Sequence, residues 1–128
     1  MRFLALLTLL SATTAFAASE ADREKAFKAE IAPLLEKSCA NCHGKDKTKK
    51  AKGGFDVTSL ASIVKGGKEH GEGIVWGDAS KSTLYKSSEL GLSNPDHDLA
   101  MPPKEKQAKN PPLTKEQVAK IKAFIEAK

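Results

Sequence analysis

The sequence predicts an all-α fold built from a few short helices. Apolar residues recur at helical spacing in four stretches, no stretch alternates with the period of two that marks a strand, and glycine- and proline-rich segments separate the stretches. The chain has 128 residues, room for one domain. No internal repeat is visible.

The elements follow in chain order. Residues 1–17, "MRFLALLTLLSATTAFA", carry Arg2 at the start, an apolar run from Phe3 to Leu10, and small residues at Ala15 and Ala17. This is the layout of a secretory signal peptide cut after Ala17, which leaves residues 18–128 as the working domain. Ser11, Thr13 and Thr14 break the run short of the roughly 20 apolar residues that a spanning helix needs, so no stable membrane span is expected after cleavage. The expected location is the periplasm or another exported compartment.

Residues 19–38 read as a helix. Ser19 and Asp22 resemble a capping box, and Phe27, Ile31, Leu34 and Leu35 form one apolar stripe. Pro33 has no N–H to give and biases Ala32 away from the helical region, so a kink or a restart is expected there. "KDKTKKAK", residues 45–52, has five lysines and no apolar residue larger than alanine, and reads as a solvated loop. After Gly53 and Gly54, Thr58 or Ser59 can cap a short helix bearing Leu60, Ile63 and Val64, stopped at Gly66 and Gly67. Asp78 or Ser80 can cap another, with Leu84 and Tyr85 turned inward. Five of the six prolines fall between Leu92 and Pro112, which predicts an extended segment. Thr114 and Gln117 form a second capping box, ahead of a helix striped by Val118, Ile121, Phe124 and Ile125.

Large apolar residues are few for this length, and a core that small is marginal unless something else fills it. The net charge is +5, falling to about +4 with the loss of Arg2. That excess suits an acidic partner face or an anionic surface and is too small to indicate nucleic acid.

Both cysteines lie in "KSCANCHG", residues 37–44. A pair so spaced can form a disulfide, bind a metal, exchange thiols or attach a haem. A structural zinc site needs four ligands, and only Cys39, Cys42 and His43 cluster, with His70 and His97 far along the chain. A thioredoxin-like pair would start a helix after a strand, whereas here a helix leads in and no strand is expected. A disulfide or idle thiols leave the position of His43 without a purpose. C-x-x-C-H signals covalent haem attachment, with both thiols added to one haem's vinyl groups and the adjacent imidazole as proximal iron ligand. One motif implies one haem c, whose macrocycle would also supply the missing apolar mass.

Apart from Met1 the chain has a single methionine, Met101, in "LAMPP". Proline after it limits backbone freedom and would help present the thioether, and Met101 is assigned as distal ligand ahead of His70 and His97. Iron filled on both faces is suited to electron transfer rather than oxygen chemistry.

The chain resembles the c-type cytochromes, and most closely the planctomycete-type cytochrome c domain. The resemblance runs through "IAPLLEKSCANCHG", "KGGFDV", "GIVWGDASKSTLYK", "AMPP" and "LTKEQVAKIKAFI", over nearly all of residues 18–128. It implies the cytochrome c fold with first and last helices packed across each other, Cys39 and Cys42 as thioether attachment points, His43 as proximal ligand and Met101 as distal ligand. Two features depart from the family pattern: Phe124 stands where a tryptophan is frequent, and the lysine loop is longer. The loop could dock an acidic redox partner or be merely solvated, and Trp76 could meet the haem edge, reach a propionate or pack in the core. The function expected is an exported single-haem carrier of electrons between protein partners, not an enzyme. The alternative is a haem enzyme or sensor with an open or displaceable sixth site.

Overall fold

The protein is described from a computed structural model over residues 18–127; the expected signal peptide lies outside the described residues. All regular structure among them is helical. The first element is a single rod in three parts: α1 (Glu20–Ala26), a π-helical turn (Phe27–Ile31) and α2 (Ala32–Ser38). Three further helices follow: α3 (Leu60–Lys65), α4 (Thr83–Ser93) and α5 (Lys115–Glu126).

The rod begins where Ser19 accepts a hydrogen bond from the Asp22 amide at 3.1 Å. Pro33 neither breaks nor ends it. The chain widens instead into the π turn, where the Ala32 amide reaches back five residues to the Phe27 carbonyl, and α2 restarts with the proline in its first turn. A proline is tolerated at a helix start because the N–H it lacks has no helical partner there, and the extra residue of the π turn shifts the hydrogen-bond register so that α2 can restart at the proline. Of the kink or restart that the sequence predicts, the restart is the one seen, through this register shift.

Ser59 caps α3 by accepting from the Ser62 amide at 3.2 Å. Asp78 caps a 3-10 turn over Ala79–Lys81, not α4 as expected. α4 begins after Ser82, whose buried hydroxyl is committed to the Val75 amide at 2.8 Å and the Asp78 carbonyl at 2.9 Å. α4 also runs to Ser93, into the segment read as extended, and the rest of that segment is irregular with a 3-10 turn at Lys104–Lys106. Leu84 is buried as expected, while Tyr85 is only half-buried. α5 opens on the full capping box, with Thr114 and Gln117 each accepting from the other's backbone.

The core is the crossing of the rod and α5. Phe27, Ile31 and Leu35 from the rod, and Val118, Ile121 and Ile125 from α5, are all buried in one cluster. Full burial of such a side chain contributes about 1.5–3 kcal/mol. Phe124 extends the crossing at its edge, 6.4 Å from the Phe27 ring and 5.4 Å from Trp76. The Arg23 guanidinium lies 4.2 Å over the indole, a cation–π contact that fastens α1. α5 also packs on α4, so the C-terminal helix braces both the rod and the element beside the cleft described next.

Candidate functional site

The cysteine motif extends α2 by a tight turn. The Cys42 and His43 amides both donate to the Cys39 carbonyl, at 3.2 and 3.0 Å, which sets the two sulfurs and the imidazole along one short stretch. Segment 52–57 then runs back beside it. The Lys52 amide donates to the Cys42 carbonyl at 3.0 Å, and the Val57 amide to the His43 carbonyl at 2.9 Å. Gly44 lets this happen: its φ is +119°, and a Cβ there would lie 2.3 Å from the Asp56 carboxylate. The lysine loop is therefore hung from the motif at both ends, and its side chains are exposed.

His43 Nδ1 lies 3.0 Å from the Phe55 carbonyl. A ring nitrogen facing a carbonyl must be the one bearing hydrogen, so Nδ1–H donates and Nε2 is the nitrogen with a lone pair. The Phe55 ring meets the imidazole edge-on at 5.7 Å and limits its rotation. Burial pulls His43 below the usual histidine range, and the Phe55 hydrogen bond opposes this only in part, so the neutral imidazole predominates at neutral pH. This is the pattern of an imidazole set to ligate a metal, its second nitrogen fixing tautomer and orientation.

Cys39 and Cys42 are free and half-buried. Burial, with Cys42 adding, pushes the Cys39 thiol up to about 12. A thiol-exchange pair needs a thiol that ionises easily, so this environment speaks against that reading.

Cys39, Cys42, His43 and Met101 all line one cleft, whose free space out to its open mouth is about 1020 Å³. Phe55, Val57, Leu84 and Leu99 provide apolar wall. Thr83, Ser87 and Ser88 also line it, with their hydroxyls turned back onto carbonyls: Thr83 on His70 at 2.6 Å, Ser88 and Ser87 on Leu84 at 2.8 and 3.3 Å. Polar groups satisfied in this way leave a surface suited to a flat apolar occupant. The exposed lining residues include Lys52, Lys68, Glu69, His70, Glu105 and Lys106. Two thiols on one short turn, an adjacent imidazole with one nitrogen to spare, and a thioether brought in from the segment after α4 are a donor set that fits a covalently attached haem.

Sequence reasoning named Cys39, Cys42, His43 and Met101, and the fold brings all four to one cleft. Of the competing histidines, His70 lines the cleft on an exposed loop, and the ring of His97 accepts a hydrogen bond from the Leu99 amide at 3.0 Å. Of the three readings of Trp76, packing in the core is the one seen: it sits with Phe124 and Arg23 at the helix crossing and does not line the cleft. Thr83, Ser87 and Ser88 were missed, although Thr83 and Ser87, four apart, share one face of α4. Phe55 was missed as well, since the partner of His43 is its backbone carbonyl, on which no side-chain pattern reports.

A helical domain wrapped on such a cleft defines a cytochrome of the c type. The family described as Planctomycete cytochrome C matches residues 39–105, more than half the chain, and the protein belongs to that family. Membership implies a haem-binding cytochrome with covalently bound haem c. The matched region runs from the first cysteine past Met101 and leaves the rod and α5 outside it. No curated protein and no solved structure matches the chain.

Proposed function

We propose that this protein is an exported carrier of single electrons holding one haem c, with Cys39 and Cys42 as thioether attachment points, His43 as proximal ligand and Met101 as distal ligand. The observation that carries the reading is the convergence of these four side chains on one cleft. The bound haem supplies the one-electron chemistry. The chain's part is to orient the imidazole through the Phe55 carbonyl, present the thioether, and keep water from the apolar walls. A thioether opposite an imidazole raises the potential relative to two imidazoles and leaves no site for oxygen chemistry.

Partners are proteins with an acidic face. Lys47 pairs with Asp56 at 3.5 Å and Lys49 with Asp46 at 3.1 Å, while Lys50, Lys52 and Lys68 enter no ion pair among the described residues. Lys52 and Lys68 also line the cleft with Lys106, against Glu69 and Glu105, so its rim carries a small positive excess where electrons would enter or leave. Export rests on the composition of residues 1–17; no described helix is long and apolar enough to cross a membrane.

The test is spectroscopic. Denatured protein is expected to retain its haem through acidic organic extraction, and Met101→Ala to lose the ferric iron–sulfur charge-transfer band and lower the potential. Extractable haem refutes the attachment, and a band that survives in Met101→Ala refutes the distal ligand. Rapid carbon monoxide uptake by the reduced wild-type protein would instead favour an enzyme or sensor with an open site.

A further inference from the structure

The geometry points to Gly91 as the residue that positions Met101, an inference that rests on Met101 being the distal ligand. Gly91 is buried in the last turn of α4, two residues before the helix ends at Ser93. It is not a turn glycine, since its φ is not positive, and glycine is the poorest helix former after proline. Its place there needs another reason, and the neighbouring chain supplies it. A Cβ built on Gly91 would lie 2.1 Å from the Met101 carbonyl oxygen, 3.0 Å from its carbonyl carbon and 3.5 Å from its nitrogen. These contacts are to backbone, which cannot swing aside as a flexible side chain can.

One turn earlier on the same face, the Ser87 carbonyl accepts the Met101 amide at 2.9 Å. Ser87 and Gly91 thus form a seat of one helical turn against which the Met101 backbone lies, its amide bonded to Ser87 and its carbonyl over Gly91. The following residue is fixed too, because the Pro102 carbonyl accepts from the Gln107 side chain at 3.2 Å. The depth to which the thioether enters the cleft is then set by how closely its backbone lies against α4. Any side chain at position 91 lifts Met101 off that seat. Gly91 touches neither the donor atoms nor the cleft, and acts through Met101 alone.

Helix propensity and the seat predict opposite things for Gly91→Ala. Propensity alone predicts a holoprotein at least as helical as wild type with its spectrum unchanged. The seat predicts wild-type helicity by circular dichroism together with loss of the ferric iron–sulfur band and new carbon monoxide binding by the reduced protein, the phenotype of Met101→Ala. If Met101→Ala loses the band and Gly91→Ala keeps it, the role of Gly91 is refuted and the ligand stands; if Met101→Ala keeps it, the ligand falls and the role of Gly91 with it. A measurement on the wild-type holoprotein decides the matter should Gly91→Ala not fold. The Met101 amide is expected to exchange its hydrogen as slowly as the amides of α4, and exchange at the rate of an exposed loop overturns the seat.

Discussion

Replacing Ile121 with alanine tests whether the crossing of the rod and α5 carries the stability of this domain. Ile121 is 0% exposed, as are Ile31, Leu35 and Ile125 in the same cluster. Truncations of this kind cost about 2–5 kcal/mol, and the cost rises when the surroundings cannot collapse into the gap. The neighbours here are β-branched or fully enclosed side chains on two helices braced by a third, so a value near 3–4 kcal/mol is expected. For a domain of about this size each kcal/mol moves the melting point by about 4 °C, which gives a fall of roughly 12–16 °C. The assay is thermal unfolding of the haem-loaded protein followed by circular dichroism, with exposed Lys122→Ala on the same helix as control. Both proteins carry the same covalent group, so its contribution cancels in the difference. A fall below about 5 °C would refute the reasoning. So would loss of the iron–sulfur band in folded Ile121→Ala at room temperature, because the crossing and the seat of Met101 would then not be separable.

Two further outcomes are expected. The Asp56 carboxylate is pushed upward by burial, but its bonds from the Thr58 hydroxyl and amide and the charge of Lys47 outweigh this and hold it below its usual 3.8. Its stabilisation is therefore full above that value and lost as pH falls through the lower folded-state value; Asp56→Asn is expected to melt earlier than wild type at neutral pH, with the gap closing in strong acid, and a gap that stays constant refutes the charge effect. If the lysines beside the cleft dock an acidic partner, electron transfer slows as salt screens them beyond a Debye length of about 10 Å at 0.1 M, and charge reversal at Lys50, Lys52 and Lys68 slows it at low salt; rates indifferent to both remove that role.

Much of the site was legible in the sequence because covalent attachment concentrates its requirements in five consecutive positions. Cys39, Cys42 and His43 are the residue types that the chemistry demands, at a spacing set by one turn of chain. Met101 stood out for a different reason: apart from Met1 it is the chain's single methionine. The helices were equally plain where amphipathic stripe and cap coincide, as at Ser19, Ser59 and Thr114. Reading failed where a side chain's local preference was overruled by its surroundings. Asp78 was spent on a 3-10 turn instead of capping α4, and Tyr85, read as facing inward, is only half-buried.

By itself, then, the sequence determined the helical class and pointed to haem c through the Cys39–His43 motif, since each depends on residue identity or on spacing along one short stretch. Only the tertiary structure decided that Phe55 offers its carbonyl to His43 and that Gly91 leaves room for Met101. Both are contacts of backbone with residues distant in sequence. The backbone atoms are the same at every position, so composition and periodicity say nothing of where they meet until the chain is folded.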